Sequence, residues 1–494
     1  MIELTVAQIA EIVGGELADI SAEQAAATVV TGTVEFDSRA VTAGGLFLAL
    51  PGARSDGHDF AAGAVAAGAA AVLAARPVGV PAIVVKPAAG QVDSSSGALA
   101  YDTDGAGAAV LAALGKLARA VADELVAGGL RIVGVTGSSG KTSTKDLLAA
   151  VLTPLGQVIA PPGSFNNELG HPWTVLRAGR DTDFLVLEMS ARHPGNIAAL
   201  AQIAPPSIGV VLNVGTAHLG EFGSREVIAA TKSELPQAVP SSGVVVLNVD
   251  DSAVAAMAGK TAARVVRVSR SVGADLWAGD ATLDELARPR FTLHHGDDQI
   301  GIELAVHGDH QVSNALCAAA VALECGASLQ QVADALAGAH PVSKHRMQVS
   351  TRDDGVVVVN DAYNANPDSM RAGLKALAWM AKSRDARSWA VLGEMGELGD
   401  DAITEHDSIG RLAVRLDVSR LVVIGSGRAM GAMHHGAVME GSWGSEVTTV
   451  PDADAALELL RAELEPGDVV LVKASNSAGL GSLAEELAAG GAVR

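Results

Sequence analysis

The chain is poor in cysteine and in aromatic residues. Its 494 residues include two cysteines, and phenylalanine, tryptophan and tyrosine together make up 3%. Cys317 and Cys325 lie eight residues apart in one helical pattern. This indicates reduced core residues rather than a disulfide or a metal site. Apolar residues still reach 49%, so we expect cores of small aliphatic side chains, as in parallel sheets covered by helices.

Excess positive charge and long apolar segments are also missing. The 35 basic residues stand against 56 acidic ones, a net charge of −21, which argues against nucleic acid or an anionic membrane as a partner. The longest run of small apolar residues, 61–75, is too short to cross a bilayer. Glu3 and Glu11 interrupt the N-terminal apolar positions. We therefore expect no signal peptide and a cytoplasmic location.

The length predicts about three domains. In the first, residues 1–88, Thr5 with Gln8 forms a helix-start signal and Gly14 an end signal. Strands are predicted there at 46–50, 71–74 and 82–85. Residues 89–108 are rich in Gly, Ser and Asp, which is typical of a linker or a surface insertion.

Two α/β units follow, and both alternate apolar strands with helical segments. In residues 109–338 the pattern predicts a buried parallel sheet, and in residues 339–494 a doubly wound one. The predicted strands are 184–189, 208–213 and 244–248 in the first unit, and 356–360, 389–393, 421–425 and 469–473 in the second.

A candidate phosphate-binding loop lies at 135–145, V-T-G-S-S-G-K-T-S-T-K. The common pattern G-x-x-x-x-G-K-[ST] would have glycine where Val135 stands, but the loop still follows an apolar strand and opens a helix. Backbone amides of the turn would wrap phosphate oxygens, Lys141 would reach the β- and γ-phosphates, and Thr142 would bind Mg²⁺. The alternative is a Gly/Ser turn that caps a helix. The predicted nucleotide-binding residues of the loop are Gly137, Ser138, Ser139, Gly140, Lys141, Thr142 and Ser143.

Two further side chains are expected at the same edge of the sheet. Glu188 ends a buried strand, and His218 lies in the loop after the next strand. A buried acid is costly unless it is paired or binds a cation, and open α/β sheets bind ligands at this edge. With Thr142 they would form a site for ATP and one or two Mg²⁺. The alternatives are a solvated strand-end glutamate and a structural histidine.

Several longer motifs together resemble the Mur ligase family, whose phosphate loop has the same short spacing. They are F-D-S-R (36–39), S-F-N-N-E-L-G-H-P (164–172), L-E-M-S-A-R-H-P-G-N-I (187–197), A-T-K-S-E (230–234), D-A-Y-N-A-N-P-D-S-M (361–370) and V-L-G-E-M-G-E-L-G (391–399). The resemblance implies an α/β fold of three domains. These are a small UDP-sugar-binding N-terminal domain, a central P-loop mononucleotide-binding domain with a parallel sheet, and a Rossmann-like C-terminal domain.

The resemblance also implies an activity. The last two motifs are similar to those of family members that use ATP and Mg²⁺ to join D-alanyl-D-alanine to UDP-N-acetylmuramoyl-tripeptide through an acyl phosphate. These members make a peptidoglycan precursor, so the resemblance also implies a cytoplasmic monomer. The alternatives are the ligase that adds the third peptide residue, a folylpolyglutamate synthase, and, from another class, a P-loop kinase or ATPase. A kinase would leave the first domain and Lys232 unexplained.

The family pattern implies roles for individual residues. Lys141, Lys232 and His218 would be catalytic, and Thr142, Glu188, His218 and a carbamylated Lys232 would bind metal. Asn314, Arg346 and Asp361 would contact adenine, γ-phosphate and ribose. The implied substrate-binding residues are Asp37, Ser38, Arg39, His58, Asn166, Asn167, Tyr363 and Asn366.

From the residues alone, Lys232 would be an exposed helical lysine, Asn314 a helix N-cap, and Asp368 the cap of a helix after Asn366. Three departures from the family pattern stand out: His345 where a glycine is usual, Asn476 where an arginine is usual, and a longer insertion between Lys86 and Gly107 that we expect to form a surface loop.

Overall fold

Four sheets organise the computed structural model, which describes residues 1–52, 55–87, 99, 101–215, 219–441 and 446–490. The first two sheets belong to the N-terminal part. Its elements are β1 (Leu4–Thr5), α1 (Val6–Val13), β2 (Glu16–Ala18), α2 (Ala22–Ala27), β3 (Val29–Val30), β4 (Val34–Glu35), β5 (Leu46–Leu48), α3 (Ala61–Ala66), β6 (Ala71–Ala74) and β7 (Ala82–Val84).

The N-terminal part holds a five-stranded sheet in the order β2-β7-β6-β5-β4, beside a two-stranded β1-β3 ribbon. Strands β4 to β7 are parallel, and β2 is antiparallel to β7. The helix predicted from Thr5 is confirmed. The Thr5 side chain and Gln8 form a capping box, and Gly14 ends the helix with a φ of 72°, a conformation that glycine adopts without strain.

The central part forms the largest sheet, which has nine strands. Its elements are α4 (Ala106–Ala127), β8 (Arg131–Thr136), α5 (Lys141–Leu152), β9 (Val158–Ile159), α6 (Gly170–Val175), β10 (Phe184–Glu188), α7 (Asn196–Ile203), β11 (Ile208–Val211), α8 (Leu219–Phe222), α9 (Arg225–Lys232), α10 (Glu234–Ala238), β12 (Val244–Asn248), α11 (Ser252–Ala255), β13 (Arg264–Ser269), β14 (Leu276–Leu283), β15 (Pro289–His295), β16 (Asp298–Glu303), α12 (Gln311–Glu324) and α13 (Leu329–Ala337).

The strand order of this sheet is β16-β15-β14-β13-β12-β11-β8-β10-β9. The predicted parallel sheet is confirmed for its central strands, where β8 lies between β10 and β11. Strands β14 to β16 extend the sheet with antiparallel pairing. The sequence reading missed this extension because these strands alternate buried and exposed residues and carry Gly, Asp and His, unlike the continuous apolar runs of the buried strands.

The C-terminal part has a six-stranded sheet in the order β17-β18-β22-β19-β20-β21. All its strands are parallel except β17, which pairs antiparallel with β18 at the edge. The four predicted strands are confirmed to within one residue at each end. The elements are β17 (Gln348–Thr351), β18 (Val357–Asn360), α14 (Pro367–Ser383), β19 (Ser388–Leu392), α15 (Ala402–Arg415), β20 (Arg420–Ile424), α16 (Arg428–Glu440), β21 (Val447–Val450), α17 (Ala453–Glu463), β22 (Val469–Lys473) and α18 (Gly481–Ala488).

Small aliphatic side chains build the cores, as composition predicts, and valine, leucine and alanine dominate the buried residues. Both cysteines are free thiols. Cys317 is fully buried on α12, and burial raises its pKa to about 12. Within the described residues, no helix combines the length and the apolar character that crossing a membrane requires.

An aromatic cluster joins the N-terminal and central parts. The Phe36 ring lies 5.9 Å from Trp173, and Phe165 lies 4.8 Å from Trp173, between ring centroids. The Trp173 indole N–H donates to the Val34 carbonyl oxygen at 2.8 Å. Three of the few aromatic residues are thus used to dock the first sheet onto the segment after β9.

Helix α4 begins at Ala106, inside the segment 89–108 that the sequence suggests is a linker. The Asp102 carboxylate accepts from the backbone N–H of Gly107 at 3.0 Å and of Ala108 at 2.8 Å, which satisfies amides at the start of the helix. Residues 89–98 and 100 of that segment lie outside the described residues.

Candidate active site

The glycine loop connects β8 to α5 and is held by its neighbours. The Asn213 side-chain oxygen accepts from the backbone N–H of Ser138 at 3.0 Å and of Ser139 at 2.9 Å. Gly140 has a φ of 80°, and a Cβ there would lie 2.7 Å from the Asn314 Oδ1 atom. The second glycine of the loop is therefore required both by its backbone conformation and by the close approach of Asn314.

Lys141 is the first residue of α5. Its ammonium group donates to the Gly137 carbonyl oxygen at 2.8 Å, so the side chain folds back over the loop. Burial lowers the pKa of Lys141, and the Arg346 charge acts in the same direction, whereas the carboxylate of Glu188 opposes both. A phosphate group entering the loop would meet this cation at close range.

Thr142 and Glu188 are brought together as predicted. The Thr142 hydroxyl donates to Glu188 Oε2 at 3.0 Å, and the Asn166 amide donates to Glu188 Oε1 at 2.7 Å. Glu188 is 2% exposed at the end of β10. Both of its oxygens are therefore hydrogen-bonded, which is how a buried carboxylate is tolerated.

Arg346 crosses from the C-terminal part to the loop. Its guanidinium donates to the Ser164 hydroxyl at 3.0 Å and to that of Thr142 at 3.3 Å. The same group lies over the Tyr363 ring, 4.5 Å from the ring centroid. The stacking fixes the guanidinium between the two halves of the site.

The donor chemistry fits Mg²⁺. Thr142 and Glu188 present a hydroxyl and a carboxylate side by side, and hard oxygen ligands of this kind suit Mg²⁺. Within the described parts of the chain, no three His, Cys, Asp or Glu side chains form a metal cage. This is compatible with Mg²⁺, which keeps several waters and binds through few carboxylates and the substrate phosphates. His218 lies outside the described residues.

Lys232 is buried, at 4% exposure, in the last turn of α9. It is not the exposed helical lysine that composition alone suggests. No described residue pairs with its ammonium group. Burial and the charge of Lys141 hold the pKa of Lys232 well below its usual range. Burial thus favours the uncharged, nucleophilic form of this amine more than in an exposed lysine.

The Asp361 carboxylate is fixed by an ion pair and by a hydrogen bond from the backbone. Its Oδ2 atom lies 2.5 Å from the ammonium group of Lys473, and its Oδ1 accepts from the Met347 N–H at 3.1 Å. Lys473 is 1% exposed at the end of β22. The sequence reading missed this lysine; the signal was a charged residue closing the buried strand V-V-L-V-K.

Two helix N-caps differ from those predicted from the sequence. Asn314 is the fourth residue of α12, not its N-cap, and its amide donates to Gln311 at 2.8 Å. Asn366, not Asp368, caps α14, since its Oδ1 accepts from the Ser369 N–H at 2.9 Å and Pro367 opens the helix. Proline at the first helical position leaves the preceding residue as the natural cap.

The predicted uridine-site residues lie in the N-terminal part. The Arg39 guanidinium pairs with Asp37 at 2.7 Å, and Arg39 is 88% exposed. The His58 ring is buried; its Nδ1 lies 2.6 Å from Asp56, and its Nε2 accepts from the Ala75 N–H at 3.1 Å. Ser38 lies in the same turn as Asp37 and Arg39, after β4.

A cleft of about 740 Å³ lies between the central and C-terminal parts. Of the predicted site residues it collects Ser138, Ser139, Gly140, Lys141, Thr142, Ser143, Asn166, Asn167, Glu188, Arg346, Tyr363 and Asn366. Gly137, Lys232, Asn314, Asp361 and the four N-terminal residues are not on its lining. The lining also includes residues to which the sequence reading gave no role: Ser164, Ser190, Arg192, His193 and Glu397.

Comparison with known proteins agrees with this architecture. Residues 32–120 match the profile of the Mur ligase family catalytic domain, 135–322 that of the Mur ligase middle domain, and 345–476 that of the Mur ligase glutamate ligase domain. The UDP-N-acetylmuramoyl-tripeptide–D-alanyl-D-alanine ligase of Mycobacterium tuberculosis (strain ATCC 25618 / H37Rv) is 74% identical over 502 residues, covering 99% of this chain and 98% of the relative.

Solved structures give the same result. MurF from Acinetobacter baumannii has a TM-score of 0.82 at 28% identity, over 99% of both chains. MurF from Thermotoga maritima in complex with ADP has a TM-score of 0.75 at 28% identity, over 93% of this chain and 98% of that one. The chain belongs to the Mur ligase family.

Proposed function

We propose that the chain is an ATP-dependent, ADP-forming ligase that joins D-alanyl-D-alanine to UDP-N-acetylmuramoyl-tripeptide, in the cytoplasm and as a monomer. One observation carries the proposal. The phosphate loop and Arg346, from different parts of the chain, face one cleft that also has room for a peptide. The 74% identity over nearly the whole chain to relatives named for this reaction supports the choice of substrates.

The reaction has two steps. An oxygen of the tripeptide carboxylate attacks the γ-phosphorus of ATP, and ADP leaves. The amino nitrogen of the dipeptide, after losing a proton, then attacks the acyl carbon, and inorganic phosphate leaves with the acyl oxygen. Bringing a carboxylate to a triphosphate is opposed by charge repulsion, so positive groups fixed in a half-buried site are the main catalytic device.

The chain supplies those groups from both sides of the cleft. Lys141 and the loop amides would hold the β- and γ-phosphates, and Arg346 would neutralise the transferring group. Thr142 and Glu188 would hold Mg²⁺, which supplies further neutralisation of phosphate charge. Asn314 beside Gly140 would border the nucleotide, and Asp361 would act at the ribose edge while it orders Lys473.

Lys232 has the properties that carbamylation requires. Its buried amine has no partner among the described residues, and in its uncharged form it can attack CO₂, which forms an N–C bond, releases one proton and leaves a carbamate anion. The negative charge would lie near Lys141, whose positive charge lowers the pKa of the Lys232 amine, and would replace this repulsion with an attraction. A carbamate oxygen would then complete the metal site beside Glu188.

The N-terminal part, residues 1–88, would bind the uridine diphosphate end of the substrate. Asp37, Ser38 and Arg39 follow β4, and His58 follows β5. Because β4 and β5 are parallel neighbours, these residues share one edge of the sheet. We assign residues 109–338 to the nucleotide-binding domain and 339–494 to the C-terminal domain, with 89–108 as the connection.

The test is phosphate release from ATP and Mg²⁺ with UDP-N-acetylmuramoyl-tripeptide, with and without D-alanyl-D-alanine, with the products weighed. Release that depends on the dipeptide, and a product heavier by one dipeptide unit, are expected. Both the meso-diaminopimelate and the L-lysine tripeptide should be tried. Turnover with a free amino acid in place of the dipeptide would assign the chain to another branch of the family. ATP use that no carboxylate stimulates would disprove the ligase.

A further inference from the structure

One ion pair spans the cleft beyond the phosphate loop. The Arg192 guanidinium, after β10, lies 2.8 Å from Glu397 Oε1, after β19. The two side chains are 41% and 38% exposed, and both line the cleft. The pair therefore links the central and C-terminal walls where a substrate has to enter.

Both partners are held by their own loops. The Asn196 side-chain oxygen accepts from the backbone N–H of Arg192 at 3.0 Å and of His193 at 2.9 Å. On the other wall, the Gly396 N–H donates to the Ser475 hydroxyl at 2.7 Å. Each charge is thus presented into the cleft from a fixed backbone rather than from a mobile surface segment.

The backbone of Glu397 is strained. Its φ is 62°, in the left-handed region that residues other than glycine rarely adopt. Such a conformation persists where the surroundings impose it, and it concentrates at ligand-binding sites. An ion pair that only joined the two walls would not offset the cost of this strained backbone, because exposed ion pairs contribute little to stability. The strain and the fixed loops together indicate a binding role.

The charges of the pair identify the ligand. Opposite charges on facing walls are complementary to a zwitterion, whose ends replace the two partners of the pair. D-Alanyl-D-alanine has an ammonium and a carboxylate about 6 Å apart when extended. The tripeptide carboxylate that accepts phosphate is a poor alternative, because it must lie at Lys141 and would be repelled by Glu397. The charge of Glu397 raises the pKa of Lys141. A ligand held at Glu397 is therefore close to the reacting centre.

We propose that Arg192 binds the carboxylate of D-alanyl-D-alanine and Glu397 its amino group, and that the Arg192–Glu397 ion pair occupies this subsite until the dipeptide enters. The inference rests on the proposed function and adds the binding residues for its second substrate. Glu397 then directs the amino nitrogen toward the acyl phosphate, while Arg192 selects dipeptides with a free C-terminal carboxylate.

The test is steady-state kinetics of Arg192→Ala with each substrate varied in turn. The KM for D-alanyl-D-alanine should rise about ten- to a hundredfold, as expected for losing a charge-assisted contact, while the KM values for ATP and tripeptide stay within twofold. With D-alanyl-D-alaninamide, which lacks the carboxylate, wild type and variant should be equal. Arg461→Ala is the matched control, because Arg461 pairs with Glu486 at 3.2 Å and is 39% exposed, away from the cleft.

A second variant distinguishes dipeptide binding from a purely structural role in which the ion pair holds the two walls of the cleft together. Arg192→Glu combined with Glu397→Arg restores an ion pair but places the wrong charges against the dipeptide. The KM for the dipeptide should stay raised; recovery to the wild-type value would show a latch and overturn the proposal. A rise in the KM for tripeptide instead would assign Arg192 to that substrate and also overturn it. If wild type itself shows no dipeptide-dependent turnover, the proposed function fails, which is a distinguishable result.

Discussion

The two walls of the cleft are built in different ways. The central wall forms where three neighbouring parallel strands end, with the glycine loop after β8, Glu188 on β10 and Asn213 after β11. The C-terminal wall is assembled from separate segments, which carry Arg346, Tyr363, Glu397 and Asn476. One sheet edge thus fixes the central wall, whereas the other wall depends on how the two parts of the chain meet. We expect changes at the phosphate loop and at the metal-binding side chains of the central wall to abolish chemistry, and changes in the other wall to weaken positioning.

The largest effect is expected for Lys141→Met. It removes the cation that folds over the loop, so dipeptide-dependent phosphate release should fall by about a thousandfold. The measurement is kcat with all substrates saturating, with thermal unfolding to show that the fold is intact. Lys260→Met, at an exposed lysine, serves as the control and should retain full activity. Turnover within tenfold of wild type would remove Lys141 from the phosphate site.

Lys232→Ala tests the buried amine of α9, which lies in the central part of the chain but not on the lining of the cleft. Activity should fall about a hundredfold, since the negative charge of the proposed Lys232 carbamate is lost from the reacting centre. Acetate or formate should restore part of the activity by supplying the missing carboxylate. A signal from ¹³CO₂ bound to wild type, absent in the variant, would give the same answer without turnover. Full activity without added carboxylate would make Lys232 a structural residue.

Arg346→Lys tests the C-terminal wall. Lysine keeps the charge but loses the fork that reaches Ser164 and Thr142 and the stacking on Tyr363. We expect kcat/KM for ATP to fall about tenfold, less than for the central lysines. Tyr363→Phe keeps the ring and should leave kcat/KM for ATP nearly unchanged, whereas Tyr363→Leu should lower kcat/KM for ATP a few-fold. An Arg346→Lys variant as inactive as Lys141→Met would contradict the contrast between the walls.

The same contrast explains how far the sequence could predict the site. The central wall was predictable because strand, loop and helix are local, and parallel strands must bring their ends to one edge. The pairing of Thr142 with Glu188, 46 residues apart, follows from that rule. The motif resemblance then implied a role for Lys232, which composition alone would have placed on the surface and which the structure shows to be buried.

The parts that escaped prediction depend on long-range packing. Lys473 meets Asp361 over 112 residues of sequence, and Arg192 meets Glu397 over 205. No periodicity carries such pairings. The antiparallel strands β14 to β16 were missed for a different reason: one face is exposed, so their pattern resembles that of polar loops.

The smallest effect is expected for His171, which lies on α6 behind the central wall. Its side chain is 0% exposed. Burial lowers the pKa of His171 from 6.5 to about 4, against a smaller opposing effect of the Leu200 and Glu188 backbone. The unfolded chain therefore binds a proton at a higher pH than the folded one.

The sign of the pH effect follows from that difference. The stabilising contribution is complete above pH 6.5 and is lost as the pH falls toward 4, by about 1 kcal/mol of unfolding free energy between pH 7.5 and 5.5. His171→Leu should unfold with a correspondingly weaker dependence on pH over this interval, measured by denaturant titration at several pH values. His295→Asn, at an exposed histidine, should leave the wild-type dependence unchanged. Identical pH profiles for His171→Leu and wild type would mean that water reaches His171 and that the central wall is not dry behind the site.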